Sequence, residues 1–301
     1  MQNNEAQKTE WQGKSKGNVL GYQIFVFCIR HFGVRFAYFV LYFVAFYYFV
    51  FERKLNQYSY YYFRERLGFS KVKAWKSVYK NYFVFGQTIL DKITILAGFR
   101  NQFTYDFDGI ENLQQLLKDK KGGVLISAHI GNFEISEHFF AEIDLNYQIN
   151  IVTADLEHSA IKTYVESISE KKSSNKFIII KEDLSHIFDI NKVLSNNEVI
   201  CFTGDRYFQG NKLLKGIFLG KEAHFPAGPF MIASRLGVPV IFVYVMKEKN
   251  LHYHLYARMA NTKHRDAQGL LNAYIQNMEQ MVKKYPLQWF NFFDFWEEKS
   301  E

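Results

Sequence analysis

Residues 121–134 read KGGVLISAHIGNFE, and the reading of the whole chain turns on this stretch. GVLISA (123–128) is short and almost wholly apolar, the pattern of a strand buried on both faces. Gly131 permits the sharp turn that leaves such a strand, and Asn132 suits the N-cap of a helix beginning near Phe133. Ligands of α/β sheets collect beyond the carboxyl ends of strands, so His129 stands where chemistry is expected. Glu134 falls in the first helical turn, and a strand–turn–helix path folds its carboxylate back toward the imidazole. A carboxylate bonded to one ring nitrogen fixes the tautomer and leaves the other nitrogen as a base. Such a pair, without a serine, deprotonates a hydroxyl or amine on an acceptor molecule. The plainer alternative is a histidine that only closes a strand end.

The same rhythm extends outward from this stretch. Strands are expected at 103–107, 148–153, 177–180, 198–202 and 239–245, with helices at 110–120, 133–142, 157–170, 185–195 and 226–236. That alternation predicts an α/β fold, a largely parallel sheet flanked by helices. Residues 251–259 alternate as an edge or antiparallel strand does, and a helix over 265–284 follows. Over 70–97, Trp75, Val78, Tyr82, Phe85, Ile89 and Ile93 recur at three- and four-residue steps, as in a packing helix without chemistry of its own.

The chain divides near its start. Residues 1–18 are polar and read as a tail. Residues 19–66 form an apolar helical segment with an uncharged run of sixteen residues, FAYFVLYFVAFYYFVF (36–51). As a helix that run is roughly 24 Å long, short of the roughly 30 Å hydrocarbon core, so it is expected to lie in or partly enter a membrane and to tether residues 67–301. Glu5 and Glu10 spoil the basic start of a signal peptide, and Glu52-Arg53-Lys54 stands where cleavage would fall.

Composition agrees with a membrane surface. Aromatic residues make up 18% of the chain, and 37 basic against 30 acidic residues leave a net charge of +7. Scattered Lys and Arg disfavour nucleic acid, and aromatic rings favour the bilayer interface. So apolar a chain is not disordered, and two distant cysteines, Cys28 and Cys201, exclude a disulfide scaffold and a cysteine-based zinc site. Asp106-Phe-Asp108 matches the metal-binding pattern of some glycosyltransferases but reads better as a capped turn before Gly109. His252 and His254 share one strand face with no third ligand to name. Gly-x-Ser-x-Gly, Walker A and Gly-x-Gly-x-x-Gly patterns are absent, which disfavours α/β-hydrolases and the usual nucleotide folds.

Four blocks carry a resemblance. ISAHIGNFE (126–134) is similar to the His-x4-Asp/Glu block of the lysophospholipid acyltransferase superfamily, and most resembles the lipid A biosynthesis (lauroyl/myristoyl-type) acyltransferases. EVICFTGDRYFQG (198–210), GIFLGKEAHFPAGPFMIASRLGVPVIFVYV (216–245) and YPLQWFNFF (285–293) resemble further blocks of that family in order and spacing, so the similarity spans about residues 15–296.

The resemblance implies His129 as catalytic base and Glu134 as its orienting carboxylate. It sets Asp205 and Arg206 near the same strand-end cleft and counts them as substrate-binding together with Asn132, which lies between His129 and Glu134. Gly228 and Pro229 are expected to shape the acyl or acceptor pocket. Lys172, within KKSSN (171–175), stands where the family often has an arginine, so the charge persists without the guanidinium fork.

The implied reaction moves a fatty acyl chain from a thioester, acyl carrier protein or acyl-CoA, to a hydroxyl of a lipid A precursor at the cytoplasmic face of an inner membrane. No metal and no cofactor are expected. Backbone amides near Asn132 are expected to supply oxyanion donors, and Arg206, Lys212 and Lys215 to meet a phosphorylated acceptor or the acidic carrier. Alternatives are another acceptor (an aminolipid, a lysophospholipid or an aryl-polyene-type lipid) and a non-catalytic lipid-binding protein on the same fold.

Overall fold

In the computed structural model the described residues are 19–118, 121–140, 148–153, 164, 167–168, 176–181, 183, 185–207, 210–261 and 263–296. The helix expected over 157–170 lies mostly outside them, and Lys172 lies wholly outside.

The apolar N-terminal segment folds as two helices, α1 (Val19–Phe32) and α2 (Val34–Phe51), the second of which contains the whole uncharged run 36–51. Gly33 breaks them apart with φ +82°, a conformation open to glycine. A short α3 (Arg53–Tyr61) leads to the long α4 (Lys71–Thr94), whose first turn is capped by the Ser70 hydroxyl accepting from the Lys73 amide. Val34, Ala37, Leu41 and Ala45 recur at three- and four-residue steps and form the buried side of α2. Leu41 fits so closely against Gly86 of α4 that a Cβ there would fall 2.4 Å from its Cδ1. The opposite side of α2 leaves Phe36, Phe39, Phe43, Phe46 and Tyr47 exposed.

The remaining chain builds the α/β domain. Its strands are β1 (Thr104–Asp108), β2 (Gly123–Ser127), β3 (Ile149–Thr153), β4 (Lys176–Ile179), β5 (Val199–Thr203), β6 (Leu213–Phe218), β7 (Lys221–Pro226), β8 (Val240–Lys247) and β9 (His252–Met259). Seven of them form one sheet in the order β1-β9-β8-β2-β5-β3-β4. Strands β8, β2, β5, β3 and β4 run parallel, while β9 is antiparallel to β8 and β1 pairs parallel with β9. The helices are α5 (Ile110–Lys118), α6 (Ser136–Phe140), α7 (His186–Ser195), α8 (Ala227–Leu236) and α9 (Ala267–Lys284).

Because side chains alternate along a strand, each central strand supplies two cores. Val124 and Ile126 of β2, Ile200 and Phe202 of β5, and Phe242 and Tyr244 of β8 pack with Phe230 of α8 and Tyr274 of α9. Leu125, Cys201, Ile241 and Val243 face the other way, onto Leu113 and Leu116 of α5 and Phe139 of α6. The sheet is thus covered on both faces, which is why its middle strands read as unbroken apolar runs.

One element was not read from the sequence. Strands β6 and β7 form a separate antiparallel hairpin whose tight turn holds Leu219 at φ +50° and Gly220 at φ +79°, the primed geometry of two-residue hairpins.

Candidate active site

Strands β2 and β5 are parallel neighbours with Ser127 opposite Thr203. The residue two places beyond each strand is therefore in matching position: His129 after β2, Asp205 after β5. The Gly204 amide continues the ladder by donating to Ser127 O at 2.9 Å. A Cβ on Gly204 would meet Tyr274, Ile126 and Phe230 at 2.9–3.1 Å, so only glycine lets the chain pass there.

The two side chains meet. His129 Nδ1 lies 2.8 Å from Asp205 Oδ1, and the His129 backbone amide donates to both carboxylate oxygens at 3.0 and 3.1 Å. The Trp289 indole Nε1–H reaches Asp205 Oδ2 at 3.3 Å. Asp205 is 1% exposed and the His129 side chain 29%, so the carboxylate is sealed while the ring touches solvent.

The electrostatics favour a neutral imidazole on an ionised carboxylate. Burial and then the Arg206 charge lower the His129 pKa below its usual value, and Asp205 opposes them only in part. Burial pushes Asp205 upward, but His129, its hydrogen bonds and Arg206 outweigh this and hold the carboxyl below the ordinary range. An ionised Asp205 only accepts, so the ring proton sits on Nδ1 and the lone pair on Nε2.

Glu134 occupies a different place from the one expected. The chain leaves Asn132 as a single 3₁₀ turn, Phe133–Ile135, before α6. That turn pairs Glu134 with Lys92 of α4. The Lys92 charge, with burial opposing it, lowers the Glu134 pKa, and Glu134 acts on His129 through its charge rather than by orienting Nδ1. The carboxylate holding Nδ1 is Asp205.

Asn132 also departs from expectation. It stands at the N-cap position but makes no side-chain cap bond. Its buried amide instead donates to Thr88 O at 2.9 Å and Tyr253 OH at 3.4 Å. Of the backbone amides near Asn132 expected as oxyanion donors, that of Asn132 itself is taken by Val245 O at 2.7 Å, and the preceding Gly131 amide donates to Gln288 O at 2.9 Å. Gly131 itself has φ +68°, and a Cβ there would fall 2.1 Å from Val245 O.

The aromatic C-terminal stretch clamps the site. Phe290 N–H donates to His129 O at 3.0 Å, and Arg206 Nη2 donates to Phe290 O at 2.6 Å. Burial pushes the Arg206 guanidinium down to about 10, and its bond to Phe290 makes it part of the frame. Neither Gln288, Trp289 nor Lys92 was singled out for chemistry in the sequence. The signal for the first two was present only as the similarity of YPLQWFNFF.

Gly228 and Pro229 form the first turn of α8, on an element separate from the His129 turn. The family model for bacterial lipid A biosynthesis acyltransferases matches residues 18–298, nearly the full chain. The chain belongs to that family. It is thereby an acyltransferase directed at a lipid A-like acceptor. No curated protein matches it. Two of the acyltransferase's four family-like blocks supply His129 and Asp205, a third supplies Trp289, and the fourth runs from the end of β6 through β7 and α8 into β8.

The other motifs are engaged elsewhere. Asp106 and Asp108 lie on β1, not in a turn, where Asp106 pairs with His252 at 3.2 Å and Asp108 with Arg258 at 2.5 Å. His254 stacks on Tyr256 with ring centroids 4.4 Å apart. Among the described residues no group of three or more His, Cys, Asp or Glu is placed to hold a metal ion.

Proposed function

We propose that this acyltransferase moves a fatty acyl chain from acyl carrier protein, or another acyl thioester, to a hydroxyl of a lipid A precursor. Nε2 of His129 takes the hydroxyl proton as that oxygen attacks the thioester carbonyl carbon. The C–O bond forms, the tetrahedral intermediate collapses, and the C–S bond breaks. The imidazolium then returns its proton to the departing thiolate, so the step needs no further reactant. Asp205 holds the ring in the productive tautomer and stabilises the imidazolium. Glu134 adds negative charge nearby, and Lys92 keeps that carboxylate ionised.

The observation that carries this reading is the 2.8 Å bond between His129 Nδ1 and the sealed Asp205 at the carboxyl ends of adjacent strands. For the acceptor, the support is the family. For the place, it is α2, eighteen residues and roughly 27 Å long, enough to cross or enter a bilayer by length and composition. Its exposed aromatic side faces the lipid of the inner membrane, with the site on the cytoplasmic side where acyl carrier protein is met. Lys212 and Lys215, both exposed, are offered to that acidic carrier.

The test supplies purified protein and His129→Ala with acyl carrier protein and coenzyme A donors of several chain lengths, extracted membrane lipids as acceptors, and mass spectrometry. The expected result is a lipid heavier by one acyl group, formed only by the unaltered protein. Tight lipid binding without product across the panel would favour the lipid-binding alternative.

A further inference from the structure

Beneath the His129 turn lies a buried polar cluster for which the acyl-transfer chemistry has no use. Asp91 of α4 is fully buried. Its Oδ1 accepts from the Tyr38 hydroxyl of α2, and its Oδ2 accepts from Lys247 Nζ and the Tyr253 hydroxyl, each at 2.5 Å. Lys247, at the end of β8, also reaches Tyr38 OH at 3.0 Å and lies over the rings of Tyr38 and Tyr253 at 5.2 Å.

Stability alone is a poor reason for this arrangement, because well-packed apolar residues often replace a buried ion pair at no loss. Its connections are more informative. The Lys247 backbone is gripped on both sides by the Gln288 amide, at 2.9 and 2.7 Å, and Gln288 O in turn receives the Gly131 amide. Tyr253 spends its one proton on Asp91, and its oxygen faces Asn132 Nδ2. Burial and then the Asp91 charge hold that hydroxyl well above its ordinary pKa, so it stays a donor to the carboxylate. Two routes thus run from the cluster into the four-residue turn that carries His129. A third, Tyr38, runs out to the helix whose far side is exposed aromatic surface.

We propose that Asp91, Lys247, Tyr38 and Tyr253 are positioning residues: they set the angle of the turn His129–Asn132, and through Tyr38 they tie that angle to the seating of α2. None of the four is a catalytic residue; they act on His129 through Gly131 and Asn132. The consequence for turnover rests on the acyl-transfer reading, whereas the consequence for the turn does not.

Tyr38→Phe and Tyr253→Phe each remove one oxygen and keep the ring. The expected result for the full chain in lipid vesicles is that amide hydrogen exchange across 128–134 speeds about tenfold while peptides from β5 and β8 keep their protection. Turnover falls about tenfold with KM within about twofold, as for a displaced but intact base. The quadruple variant Asp91→Leu, Lys247→Met, Tyr38→Phe and Tyr253→Phe, which strands no buried hydroxyl, is expected to keep thermal stability while losing protection of the turn, because apolar contact cannot restore these bonds. Unchanged exchange across 128–134 in both tyrosine variants would overturn the proposal, as would a loss of protection spread evenly over the sheet. If the unaltered protein transfers no acyl group, the exchange comparison decides this inference by itself and the failure belongs to the functional reading.

Discussion

Replacing Asp205 by asparagine separates orientation from size at the site. The carboxylate accepts from three donors: the His129 ring at 2.8 Å, the His129 backbone amide at 3.0 and 3.1 Å, and the Trp289 indole at 3.3 Å. An amide has one accepting oxygen and one donating nitrogen. With the oxygen kept on Nδ1, the new NH₂ faces the indole and backbone N–H groups, donor against donor. With the amide flipped, the NH₂ faces Nδ1, the ring must accept there, and its proton moves to Nε2, where the base is needed. Either way the productive tautomer is lost or strained. The expected fall in turnover is roughly 10²–10⁴-fold, about 3–5 kcal/mol of transition-state stabilisation. An unsatisfied buried donor adds about 1–3 kcal/mol of lost folding stability. Steady-state acyl transfer, read by mass spectrometry beside a thermal melt, supplies both numbers. A folded Asp205→Asn protein turning over within about threefold of the parent would refute the assignment of Asp205 as the orienting group.

Four further outcomes follow from the structure. The base must be neutral and its pKa is lowered, so the acid limb of kcat/KM is expected to have its midpoint below 6.5, and lower still in Asp205→Asn, because Asp205 opposes the shift. The same depression makes the unfolded chain bind a proton first as pH falls below 6.5, so His129 subtracts progressively more from stability down to its folded value and the full amount below it. Gly131→Ala places a Cβ 2.1 Å from Val245 O at a positive φ, and a loss of more than about 2 kcal/mol in denaturant unfolding is expected, with activity gone. Phe39→Ser with Phe43→Ser removes two exposed rings from α2; at roughly 1.5–3 kcal/mol per ring, vesicle partitioning falls at least about a hundredfold, and unchanged co-sedimentation would count against α2 as the membrane-facing element.

The sheet was legible because its strands are buried on both sides. GVLISA and VPVIFVYV announced β2 and β8 almost to the residue, and the alternation of 251–259 gave β9 its antiparallel place. The hairpin β6–β7 was not legible, since Lys215 and Gly216 interrupt the half-exposed β6, Lys221, Glu222 and His224 interrupt β7, and Leu219-Gly220 is a weak turn signal. The site was legible in its members but not in their pairing. Spacing along the chain drew attention to Glu134, yet what brings a carboxylate to His129 is the register of β2 on β5, a relation between residues seventy-six positions apart. Nor did helical periodicity over 70–97 distinguish Thr88, Asp91 and Lys92 from core positions, because a polar atom that finds its partner only across the fold leaves no local trace.

Those three residues sit at successive three- and one-residue steps and so share one side of α4. Thr88 O takes the Asn132 amide, Asp91 anchors the buried cluster, and Lys92 neutralises Glu134. On another side the same helix packs α2 through Gly86 and Leu41. A helix whose periodicity reads as packing alone is thus the beam on which the exposed aromatic helix α2 and the His129 turn are both mounted. The burial difference between the two acids then explains their division of labour. Asp205, sealed at 1% exposure, holds its partner with little screening by water, whereas Glu134, whose side chain is 54% exposed and already paired, cannot fix a ring as firmly. Orientation falls to the acid that the strand register supplies, and the acid next in sequence tunes the charge around it.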